Sequence, residues 1–300
     1  MEFILREYDT HTELGITRAE YQAIKHAKDS FFQVIQIEET FDALIEDYVE
    51  LEETLLHFGI RHLAFSGGSH HDFHAVRHSV NRRLLHLLST ARLYRDSLLK
   101  RTKSLLDPEA FTKLKNELSD SEQQPMAFRI VEVLRNFTQH EEFPISGTSQ
   151  NVKWEGNEIR RKNRASFSIS IRINAVELSK KRDLPDSVQE ALRKLGSETE
   201  IIGYIREYIE HMGTIHGIFR DFVKTREEQW KVTMLEGIGR FNKKPDPWLV
   251  IAAPKDVNNK NEEVQLFDEF FESLSILRKK NLSQANLSRR YLRWSGLPPD

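Results

Sequence analysis

The sequence predicts a mainly α protein, a helical bundle with one inserted β-hairpin and an α-rich C-terminal extension. Three observations predict it. Apolar residues step by threes and fours through several long stretches, the period of a helix with one buried stripe. One segment breaks that period: Phe167, Ile169, Ile171 and Ile173 alternate with polar residues, as on a half-buried strand. The composition is that of a globular helical chain. Of 300 residues, 39% are apolar, 18 are Phe, and 30% are charged with both signs interspersed. Residues 1–240 are expected to form the bundle, with the hairpin at about 151–175, and residues 241–300 the extension.

Taken in order, residues 1–16 read as an irregular arm. Thr17 followed by Glu20 has the capping-box spacing, so a helix should start at about Arg18. Its stripe is Phe31, Val34, Ile37, Phe41, Leu44, Tyr48, Leu51, Leu55 and Phe58, and Gly59 is expected to end it. After Ser66-Gly67-Gly68-Ser69, a second helix is expected from about His74 to Leu106, with Val80, Leu84, Ala91, Leu98 and Leu105 inward. Asp107-Pro108-Glu109 opens a short helical turn to about Leu118. A third helix should run from about Gln123 and end at or before Phe143, because Pro144 excludes α conformation from the residue before it. Asn151 to Trp154 is the candidate partner of the Phe167–Ile173 strand, joined to it through Arg160-Arg161-Lys162-Asn163-Arg164. Helices follow at about Asp186–Leu195, Glu200–Ile238 and Val264–Arg278, with a short strand within Trp248–Ala253 and a basic helix or arm from Arg278 to Arg293.

Charge and cysteine content restrict the function. Net charge is −2, so the molecule as a whole is no general polyanion binder. The charges are segregated, however: residues 1–60 hold 14 acidic and 4 basic side chains, whereas residues 77–103 hold 8 basic side chains and one acidic, Asp96. An acidic first helix beside a basic second one suits a bundle, and the basic helix can also face RNA or DNA. With no cysteine, there are no disulfides, thiolate metal sites or thiol nucleophiles. The start MEFILREYDT has no apolar stretch of export-signal length, and no apolar run is long enough to cross a bilayer. The expectation is a cytoplasmic protein without a membrane partner.

His70, His71, His74 and His78 cluster near the start of the second helix. His70, His74 and His78 stack on one face, but one helix face cannot surround an ion without ligands from another element, and a polar helix start explains them. No metal or cofactor is assigned. His211 and His216 are expected to pack or to meet solvent.

The string Leu134-Arg135-Asn136-Phe137-Thr138-Gln139-His140 closes the third helix. Five positions turn a helix by about 140°, so Arg135 and His140 do not share a face of an intact helix; either the helix frays near His140, or the two side chains converge on something outside it. A phosphate fits. Arginine grips its oxygens with two parallel hydrogen bonds, and histidine moves protons near neutral pH.

Together with Asn81-Arg82 and Ser89-x-x-Arg92 on the second helix, this string makes residues about 18–240 resemble a HEPN domain, whose ribonucleases carry an Arg-x4–6-His signature, frequently with Asn after the Arg. The resemblance implies an up-and-down four-helix bundle elaborated by the hairpin. It also implies a metal-independent endoribonuclease without cofactors. Two protomers would pair so that both motifs line one cleft. Arg135 would hold the scissile phosphate, His140 would act as general base or acid for the ribose 2′-hydroxyl, and Asn136 would orient the site. Many relatives are toxins, defence factors or RNA-processing enzymes, so an antitoxin or regulatory partner belongs to the same expectation. Arg82, Arg92, Arg160 and Arg161 are the candidate RNA contacts. The alternative is a non-catalytic helical module that binds RNA or protein through the basic second helix, the hairpin and the tail.

Overall fold

A computed structural model describes residues 2–8, 12–65, 70–119, 124–140, 143–155, 164–181, 184–241, 249–255 and 262–290. The chain is mainly helical with small antiparallel sheets. Its helices are α1 (Arg18–Phe65), α2 (His70–Leu105), α3 (Pro108–Glu117), α4 (Met126–His140), α5 (Ala175–Leu178), α6 (Asp186–Leu195), α7 (Ile202–Gly239) and α8 (Glu269–Lys280). Its strands are β1 (Phe3–Glu7), β2 (Glu13–Ile16), β3 (Ile145–Glu155), β4 (Arg164–Ile173), β5 (Thr199–Glu200), β6 (Val250–Pro254) and β7 (Val264–Leu266). Among the described residues, no helix is long and apolar enough to cross a membrane.

The chain divides into two compact units, each discontinuous in sequence: residues 1–42, 96–115 and 217–282, and residues 43–95, 116–216 and 283–300. The long helices α1, α2 and α7 each contribute to both.

The first unit corrects the reading of residues 1–16 as an irregular arm. Phe3–Glu7 and Glu13–Ile16 within them form β1 and β2, in a four-stranded sheet of order β2-β1-β6-β7. Ile4 stands opposite Ala253 and Leu5 opposite Ala252, so the pairing joins the two ends of the chain. Every residue of β6 is buried, which suits its run Val-Ile-Ala-Ala-Pro. Phe3 stacks on Tyr21 at 4.7 Å, and the Tyr21 hydroxyl donates to the Glu262 carbonyl at 2.7 Å. Glu38 is fully buried on α1 and accepts from two guanidinium groups, Arg220 on α7 and Arg278 on α8, at 2.6–2.9 Å.

The capping box expected at the start of α1 is formed. Glu20 Oε2 accepts from the Thr17 main-chain N–H at 2.7 Å, and the Glu20 N–H donates to Thr17 Oγ1 at 3.2 Å. These contacts, the Thr17 main-chain hydrogen bond foremost and then Arg240, hold the Glu20 carboxyl down at about 2. A carboxyl depressed on folding stabilises at pH above its unfolded value, and the contribution disappears as pH falls toward the folded value. Urea midpoints should therefore drop more steeply between pH 5 and pH 2 for the wild type than for Glu20→Gln, whose amide can still cap; parallel curves would show that the Glu20 charge contributes nothing.

In the second unit, α1 from Ala43 onward, α2 up to Arg95, α4 and α7 up to His216 are tied pairwise. Glu50 on α1 pairs with Arg83 on α2, and Thr90 donates to Asp47 at 2.5 Å, so the acidic helix does lie beside the basic one. Arg206 on α7 grips Glu52 on α1 with two bonds of 2.6 and 2.8 Å. The buried His216 ring meets the Tyr94 hydroxyl through Nδ1 at 2.9 Å, and His211 Nε2 meets Gln124 Oε1 at 2.7 Å. Both histidines pack, as expected. The hairpin is longer than the sequence suggested: β3 pairs with β4 from Ile145↔Ile173 to Glu155↔Arg164, and β5 completes a sheet of order β3-β4-β5. Helix α1 also continues to Phe65, past Gly59.

Candidate functional site

Helix α4 forms because Ala127, Phe128, Ile130, Val131, Val133 and Leu134 are all buried at helical spacing, and it stops at His140, three residues before the Phe143-Pro144 pair. The motif thus occupies its last two turns. The His140 main chain ends the helix; its side chain, like Arg160 and Arg161, lies outside the described residues.

Arg135 does not face solvent. It is 4% exposed, and its Nη1 pairs at 2.9 Å with Glu132, one helical turn earlier and 5% exposed. The same carboxylate pairs with Arg95 from α2 and accepts from the Tyr208 hydroxyl on α7 at 3.0 Å. Arg95 also donates to the Leu118 carbonyl at 2.7 Å and lies over the Phe128 ring at 5.2 Å. Burial, and then the Glu132 charge, hold the Tyr208 hydroxyl pKa well above its ordinary value, so it stays a proton donor to that carboxylate. Two guanidinium groups and a hydroxyl therefore converge on one buried carboxylate. The Arg135 Nε–H has no hydrogen-bond partner among the described residues.

Arg135 acts outward through its neighbour. Its Nη2 donates at 2.9 Å to Oδ1 of Asn136, whose residue is exposed. With the oxygen held, the Asn136 NH2 is the end of the carboxamide that can meet a ligand. The Thr138 hydroxyl donates to the Arg135 carbonyl at 2.8 Å, closing the last turn.

The face of that turn opens on a cleft of about 680 Å³, lined by residues of α2, α4, β3 and α5 that include Arg77, Asn81, Phe137, Phe143, Asn174 and Glu177. Phe137 and Thr138, which line it, sit inside the motif between Arg135 and His140. The Lys181 ammonium lies 5.1 Å from the centre of the Phe137 ring.

Of the other sequence-derived candidates, Arg82 and Arg92 are exposed on α2 and are not among the residues lining this cleft. His74 and His78 are exposed on α2, and the His78 ring meets the Phe143 ring edge-on at 6.3 Å. No group of three His, Asp or Glu side chains suited to a metal ion occurs among the described residues. Sequence reasoning missed Glu132, Arg77, Asn174 and Glu177. The three-residue spacing of Glu132 and Arg135 on one helix was a usable signal for the first. No local signal marks the others, which α2 and the start of α5 bring to one cleft. Compared with family models, curated proteins and solved structures, the chain gives no match.

Proposed function

We propose that this protein cuts RNA at the C-terminal end of α4 by a metal-independent route of the HEPN type. One observation carries the reading: Phe137 and Thr138, within the Arg135–His140 string, line a cleft of about 680 Å³, so the helix end bearing Asn136 and His140 borders a concavity of nucleotide size. RNA carries its own nucleophile, and the protein need supply only proton transfer and charge stabilisation. His140 takes the proton of the ribose 2′-hydroxyl. The 2′ oxygen then bonds to phosphorus, and the bond from phosphorus to the 5′ oxygen breaks. That oxygen leaves with a proton given back by the protonated His140 imidazole, which ends neutral, and the products are a 2′,3′-cyclic phosphate and a 5′-hydroxyl. Asn136 donates its NH2 to a phosphate oxygen. Arg135 is a positioning residue in this arrangement: Glu132 fixes it, and it fixes Asn136. Two copies pair so that two such helix ends share one RNA, with Arg82 and Arg92, both exposed, as the candidate contacts to its backbone.

A second reading is a helical module that binds RNA or protein without cutting it, and the burial of the Arg135 guanidinium against Glu132 favours it. The two are separated by incubating labelled RNA with wild type and His140→Ala in excess EDTA. Cleavage by wild type alone supports the nuclease. Salt-sensitive binding without products from either protein supports the module.

A further inference from the structure

We infer that the cleft at the end of α4 is a uracil-selective base pocket; the inference rests on RNA being the ligand. Asn81 on α2 is 3% exposed and lines the cleft. Its Oδ1 accepts from the Ile145 main-chain N–H at 3.1 Å, and its Nδ2 has no partner among the described residues. Asn174 lines the same cleft and caps α5: its Oδ1 accepts from the Glu177 main-chain N–H at 3.1 Å, and its Nδ2 likewise has no partner among the described residues. Main-chain N–H groups thus fix the orientation of both carboxamides. Each oxygen is occupied, and each NH2 is left as a donor.

The Glu177 carboxylate, which accepts from Lys180 at 2.6 Å and also lines the cleft, supplies an acceptor. Two donors and one acceptor match the edge of uracil, which presents two carbonyl oxygens around one N–H. Cytosine offers one carbonyl, a bare ring nitrogen and an amine; adenine offers a bare nitrogen and an amine. Guanine offers a single carbonyl with two donor groups. Only uracil uses both amide donors and the carboxylate together. Phe143, 55% exposed at the rim, offers the face on which a splayed base stacks, and Arg77, exposed on α2, is placed for the adjoining phosphate.

The test measures binding, so it does not depend on cutting. Short fluorescent homopolymers of U, C, A and G are titrated in EDTA against the His140→Ala protein, alone and combined with Asn174→Asp or Asn81→Asp. Aspartate keeps the oxygen that caps α5 or receives the Ile145 N–H but removes the donor. Uridine should bind about tenfold more tightly than the other three, and each aspartate should erase that preference; Asn174→Asp, at a half-buried position, should keep the melting temperature, whereas Asn81→Asp buries a charge and should lower it. If a variant melts early, the other one decides. Equal binding of all four polymers, no binding at all, or a preference that survives both substitutions overturns the inference, even if wild type cuts RNA. A uridine preference in a protein that never cuts keeps the pocket and removes the nuclease.

Discussion

Replacing Glu132 with alanine is expected to cost about 3–5 kcal/mol of stability, because it removes the carboxylate that two buried guanidinium groups share. Arg95 is 8% and Arg135 4% exposed, so water solvates little of either guanidinium. The Tyr208 hydroxyl loses its acceptor in the same step. Urea unfolding followed by circular dichroism measures the loss. The internal control is Glu109→Ala, which breaks only the exposed Lys113–Glu109 pair on α3 and should cost about 0.5 kcal/mol or less. A loss at Glu132 no larger than the control would mean that the carboxylate does not hold α2, α4 and α7 together.

His140→Ala is expected to lower RNA cleavage about 10²–10⁴-fold, the range that a positioned proton-transfer group contributes. Stability should barely change, since the residue is the last of α4. Binding of uncut RNA should also persist, because binding is assigned to the cleft and to the exposed arginines of α2 rather than to the imidazole. That pattern, a large loss of rate with folding and binding retained, separates a proton-transfer role from a structural one. A variant that cuts at the wild-type rate would remove His140 from the mechanism.

Much of the fold was legible because the signals were local. Thr17 and Glu20 lie three residues apart and satisfy each other, and the alternation from Phe167 to Ile173 matches β4. The strand at residues 3–7 was not legible, since its partner β6 lies some 250 positions along the chain and β1 is too short to show a period of its own. Gly59 reads as a stop, but glycine inside a helix costs only about 1 kcal/mol, and α1 carries through it. The site was half legible. The spacing of Arg135 and His140 marked the end of α4 as chemically unusual. It did not reveal that Arg95 and Tyr208 approach Glu132 from α2 and α7 and draw Arg135 inward, because those contacts exist only once the helices pack.

The most direct test of RNA cutting at the end of α4 is mass spectrometry of the RNA ends left after incubation with wild-type protein in EDTA. Fragments ending in 2′,3′-cyclic phosphate, paired with 5′-hydroxyl fragments, should be formed by wild type and not by His140→Ala. RNA recovered intact, or fragments with free 3′-hydroxyls and 5′-phosphates, would contradict it.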